Sequence, residues 1–164
     1  NQTLDELEIE DYLGEPQVII PDVNPLLHAY NGKSAEHERG QEWWENTLAG
    51  AQAVGLAWAA MLGFIRIMTQ RGVMRNPKQP GEALGHLRGW LERPQAEILT
   101  PGEEHARILF GRLEQSARQE THDDGRLAAL AIEYQAEIAS TDPDFALFPI
   151  LRGFNPLAVS KRRR

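Results

Sequence analysis

The chain has no cysteine, which excludes disulfides, thiolate catalysis and cysteine-ligated zinc together. It also has no apolar run of membrane length. The longest, VGLAWAAMLGFI from Val54 to Ile65, stops at Arg66, well short of the roughly 20 residues a span requires. No basic segment leads into an apolar stretch at the N-terminus, so no secretory signal is read in the chain as given, and a cytoplasmic location is the expectation. Internal repeats, Gly/Ser linkers and low-complexity blocks are missing as well. The five histidines, His28, His37, His86, His105 and His122, form no HExxH-like pair and read as structural or surface groups, with His122 set apart because it adjoins acids. Lysine is scarce: Lys33, Lys78 and Lys161 are all there are.

What is present suffices for one ordinary core, since 41% of the 164 residues are apolar. The net charge of −7 is unevenly spread. Residues 1–17, NQTLDELEIEDYLGEPQ, carry six acids and no Lys or Arg, and without those six the remaining 147 residues sum to −1. This acidic leader reads as a flexible or inhibitory segment ahead of a domain over residues 18–157. Leu4 and Leu7 also allow a short amphipathic helix. Residues 158–164 end in KRRR, a basic tail able to touch phosphate or simply to be solvated.

Past the leader the chain alternates. QVIIP is a β-branched run closed by Pro21, and NPLLHAY opens a helix with Asn24 as its cap and Pro25 in the first turn. A second helix is predicted over about Ser34 to Leu48, then a strand in AVGLA and a helix in WAAMLGFIRIMTQ. GVMRNPKQP is a Gly/Pro-bounded loop. A helix in GEALGHLRGWLER, a strand in AEIL, helices in GEEHARILFGRLEQSARQ and DGRLAALAIEYQ, a strand in EIAS and a possible fifth in LRGF follow. Strands separated by helical crossovers imply a parallel sheet of four to five strands between two layers of helices.

Ligands of such sheets bind outside the carboxyl ends of the strands. Asp22 follows VIIP and Asp142 follows IAST in TDPDF, whereas Asp124 begins the helix leading into the fourth strand. Asp124 also fits a capping box with Thr121, and Asp142 a cap of the PDFALF turn. Asn24 supplies the first helix's cap, which leaves Asp22 without that explanation. Carboxylates about 4 Å apart repel by roughly 4 kcal/mol per pair at an effective dielectric near 20, so gathering them calls for a counter-charge. Oxygen donors without Cys or paired His favour Mg²⁺ or Mn²⁺ over zinc. Such an ion assists phosphodiester hydrolysis.

VIIPDVNPLLHAYN, WAAMLGFIRIMTQRGVMRNP and DDGRLAALAIEYQAEIASTDPDFALFPILRGFNPL together resemble the PIN-domain ribonucleases, most closely the VapC toxins of bacterial toxin–antitoxin modules. The likeness runs from about Val18 to Leu157, and its specific part is the long closing block. It implies a PIN-like three-layer α/β/α fold, a Mg²⁺- or Mn²⁺-dependent endoribonuclease and an RNA substrate. It also implies a cognate VapB-like antitoxin as inhibitor, a homodimer, and no membrane association. The acids it assigns are Asp22, Asp124 and Asp142, catalytic and metal-binding, with Asp144 as a further metal ligand. Asp123 is an alternative to Asp124. The family's pattern often has a glutamate in the helix containing GFIR, but here no acid occurs between Glu45 and Glu82, and the aligned position is near Met61. Asn24, Thr141 or water are left to complete the ligand set.

Arg66 is read either as orienting the acids or as packing its stem with its head in water, and Arg75 and Lys78 as flanking a solvated loop able to meet RNA. Trp43, Trp44, Trp58 and Trp90 fall in amphipathic segments suited to core or partner contacts. A phosphoacceptor receiver lacks its strand-end lysine here, and an aspartate-nucleophile phosphatase lacks the second acid of Asp-x-Asp because Asn24 stands there. The remaining alternative is a noncatalytic PIN-like RNA-binding or regulatory protein.

Overall fold

The alternating pattern is realised element by element. The computed structural model describes residues 18–119, 125–143 and 151–159. In chain order these form β1 (Val18–Pro21), α1 (Val23–Tyr30), α2 (His37–Ala49), β2 (Ala53–Ala57), α3 (Trp58–Thr69) and α4 (Pro80–Leu91). They continue with β3 (Ala96–Leu99), α5 (His105–Gln119), α6 (Arg126–Glu133), β4 (Glu137–Ala139) and β5 (Arg152–Phe154). The leader, the THDD stretch, residues 144–150 and the end of the basic tail lie outside the described residues.

The five strands make one sheet, all parallel, in the order β3-β2-β1-β4-β5. Parallel neighbours need long crossovers, and the helices in those crossovers cover both faces. Ile20, Leu99, Leu127, Leu130 and Ile138 belong to one core, while Leu26, Trp44, Val54, Leu56, Phe64 and Trp90 belong to the other. This is the three-layer α/β/α arrangement, with LRGF as the fifth strand.

Close packing within the sheet depends on Gly55 in β2. A Cβ there would press on the Leu99 side chain, with Leu99 Cγ at 2.8 Å and Val18 Cγ1 at 3.1 Å. The missing side chain lets Leu99 lie over the strand.

Two helix starts differ from expectation. Asn24 does not cap α1; Asp22 does, in extended conformation (φ −74°, ψ 164°), with its carboxylate accepting the Val23 N–H at 2.7 Å. The strand therefore turns straight into the helix. Pro25 falls within the first turn, where a missing N–H costs nothing. The second helix begins at His37 rather than near Ser34, because the Ser34 hydroxyl bonds locally, accepting the Glu36 N–H at 3.1 Å and meeting His28 Nδ1 at 2.6 Å. Such side-chain bonds hold a turn in place of helix. Among the described residues no helix is long and apolar enough to cross a membrane.

Candidate functional site

From β1 the chain builds outward through β2 and β3 on one side, then returns to place β4 and β5 on the other. The strand order reverses between β1 and β4, and the crevice at their carboxyl ends is where such sheets bind ligands. Pro21 is in register with Ala139, and Ala139 with Phe154. The next residues, Asp22, Ser140 and Asn155, therefore form one row along the sheet's edge. The Asp22 N–H bonds to Ala139 O at 2.8 Å and the Ser140 N–H to Phe154 O at 3.0 Å, which fixes that row to the backbone.

Both oxygens of Asp22 are held. Oδ1 takes the Val23 N–H, and Oδ2 accepts from the Ser140 hydroxyl at 2.7 Å. The Ser140 oxygen in turn accepts the Asp142 N–H at 3.0 Å. A serine hydroxyl has one proton, so accepting from Asp142 while donating to Asp22 leaves it a single direction. Ser140 is buried, at 4% exposure. Asp22 and Asp142, which are 120 positions apart in the numbering, are thus joined through one side chain. The positive end of α1 favours the negative charge of Asp22.

Ser140 is the member that sequence reasoning missed. Its signal was present only as a hydroxyl after EIA, and the β1–β4 register alone shows that it faces Asp22. A second omission is Arg112 on α5, buried at 9% exposure. A Cβ at Gly125, the left-handed residue (φ 71°) that starts α6, would lie 3.2 Å from Arg112 Cβ. The base of the Arg112 side chain therefore packs beside the start of α6. Asp123, Asp124 and Asp144 themselves lie outside the described residues. Among the described residues no group of three His, Asp or Glu side chains converges as a metal site. The side-chain donors in this connection are all oxygen, the Asp22 carboxylate with the Ser140 hydroxyl against it and Asp142 two residues on, which fits a hard divalent cation.

The other candidates resolve plainly. Met61 is buried in the α1–α4 core at 2% exposure, so a thioether occupies the position where the resemblance expects a glutamate. Arg66 is exposed in the last turn of α3, roughly 12 Å along the helix from its start at the strand edge, so its place on the helix is away from Asp22 and Ser140. Arg75 is exposed, and Lys78 pairs with Glu82 at 2.9 Å. His28 meets Ser34, His37 meets the His28 carbonyl, and His105 meets Glu133 at 2.7 Å, all structural ties; His122 is outside the described residues. Trp44 and Trp90 are core, Trp43 packs beside it, and Trp58 is half exposed (51%) at the start of α3.

No family model matches the chain. Ribonuclease VapC33 of Mycobacterium tuberculosis is 39% identical over 141 residues, covering 85% of this chain and 99% of its own. Ribonuclease VapC37 of the same organism is 36% identical over 148 residues, covering 85% and 98%. Among solved structures, a chain of VapBC2 from Rickettsia felis, bound to a DNA fragment from their promoter, superposes with a TM-score of 0.62. That match is 15% identical and spans 84% of this chain and 98% of the other, a likeness of fold.

Proposed function

Because the chain belongs to the VapC family of ribonucleases, an RNA-hydrolysing toxin, we propose that it works as a Mg²⁺- or Mn²⁺-dependent endoribonuclease at the β1–β4 crevice. A VapB-like antitoxin restrains it. The observation that carries this reading is the Asp22–Ser140–Asp142 connection at the reversal of strand order. Asp22 and Asp142 hold the cation, with Asp124 and Asp144 completing the set. When bound, the ion neutralises charge on the phosphoryl oxygens and lowers the pKa of a water.

The chain's own residues supply position. Val23 N–H and the Ser140 hydroxyl fix the Asp22 carboxylate in a single orientation, so no reorganisation is needed as charge develops. Water attacks the phosphorus in line, the bond to the 3′ oxygen breaks, and the cut ends carry a 3′ hydroxyl and a 5′ phosphate. With a body close to neutral, attraction for RNA comes from local Arg and Lys and from the ion rather than from net charge. The protein acts as a homodimer in the cytoplasm.

Calorimetric titration with Mn²⁺ tests the reading, comparing the parent with Asp22→Asn. Binding in the parent and its loss in the variant support it, and EDTA is expected to abolish cleavage of RNA. An absence of heat in both proteins would leave the noncatalytic RNA-binding alternative, which Met61 in place of a glutamate favours.

A further inference from the structure

We propose that the cleft between the carboxyl ends of β4 and β5 seats a single-ring nucleobase next to the cleaved phosphate, read by the side-chain amide of Asn155. This deepens the ribonuclease reading and rests on it. The cleft has a volume of about 160 Å³, and Ile138, Thr141, Asp142, Pro143, Phe154 and Asn155 line it. A cavity of about 150 Å³ takes a benzene ring, so one aromatic ring fits within the cleft and the second ring of a purine would reach out through its open mouth. Among the described lining residues Ile138, Pro143 and Phe154 offer apolar surface, and Thr141, Asp142, Ser140 and Asn155 the polar groups, the pattern of a small-ligand site.

Charge selects a base over a phosphate. Among the described residues Asp142 lies in the lining and no Lys or Arg does, so an anion is disfavoured and a neutral ring is not. Asn155 then selects the edge of that ring. Its Oδ1 accepts the Leu157 N–H at 2.9 Å, and because a backbone N–H can only meet the oxygen, the amide's orientation is settled and its nitrogen keeps two donors for a ligand. Those donors match the 2-carbonyl that uracil and cytosine share. Location agrees. Asn155 stands in the same row as Ser140 and Asp22, two strands from Asp22 and so roughly 10 Å away at the usual spacing. A phosphate at the acids and a base in the cleft are therefore neighbours along one RNA strand.

The test uses the full chain carrying Asp22→Asn, in EDTA, titrated with uridine 5′-monophosphate and with adenosine 5′-monophosphate while amide resonances are followed by NMR. Uridine monophosphate is expected to shift the Asn155 side-chain amide and the Thr141 backbone, with adenosine monophosphate at least fivefold weaker. Asn155→Asp keeps an acceptor for Leu157 N–H but removes both donors, and is expected to weaken uridine monophosphate about fivefold, the worth of one hydrogen bond. No shift with uridine monophosphate, equal affinity for the two nucleotides, or an unchanged affinity in Asn155→Asp each overturns the proposal. Cleavage is scored separately on the parent with Mn²⁺. If the cleft discriminates but no RNA is cut, the base site stands and the ribonuclease reading falls.

Discussion

Asp22 serves two purposes that one substitution can separate. It caps α1 through Val23 N–H and faces Ser140 with its other oxygen. Asparagine caps a helix as well as aspartate does but brings no charge to a cation. Asp22→Asn is therefore expected to lower RNA cleavage by at least about 100-fold, the scale of a lost electrostatic contribution, without lowering the thermal midpoint. Ser140→Ala removes the hydroxyl joining Asp22 to the Asp142 backbone. It should cost about 1 kcal/mol of stability in urea denaturation and reduce cleavage, and an unchanged rate would show that the acids need no such tie. The carboxylates could be picked out in the sequence because Asp after an apolar run is conspicuous. Ser140 could not, because a serine after a strand is commonplace until register sets it against a carboxylate.

At the scale of elements, the sequence predicted each strand and helix of the described chain, since β-branched runs, apolar periodicity and Gly/Pro punctuation all agree there. Its errors were at helix starts. Asn24 before Pro25 has the chemistry of a cap, yet the strand delivers Asp22 directly into the helix and Asn24 falls inside it. Asp22→Ala is accordingly expected to be about 1 kcal/mol less stable than Asp22→Asn, while Asn24→Ala changes stability little; comparison of urea midpoints decides between them. Strand packing gives a second prediction. Gly55→Ala forces a methyl against Leu99 in the neighbouring strand and should destabilise by about 1–3 kcal/mol. Leu99→Val in that background should recover part of the loss by vacating the contact, which a double-mutant cycle would show.

Over the whole molecule, two partly buried titratable groups make stability depend on pH in opposite directions. Burial, with Lys78 adding to it, holds His86 below its usual 6.5, and its Nε2 is buried without a hydrogen bond against Tyr30. The unfolded chain takes up that proton first as pH falls. The neutral ring's contribution is thus present above about pH 6.5 and is lost as pH drops through the folded value. Burial raises Glu137 above 4.5, partly offset by Arg152. Here the folded chain keeps its proton to higher pH, so stability is lost as pH rises through the folded value. His86→Phe is expected to gain on the parent at pH 5.5 more than at pH 7.5, and Glu137→Gln to gain at pH 7 but not at pH 4, both measured by urea denaturation. The sequence by itself determined the alternation of strands and helices, the parallel sheet between them and the acids at strand ends, because periodicity, punctuation and residue chemistry are local properties. Tertiary structure alone decided that β4 lies beside β1, that Ser140 joins Asp22 to Asp142, and that Asn155 shares their edge. Lateral order and register are set by which faces bury against which, a balance struck across the whole chain at once.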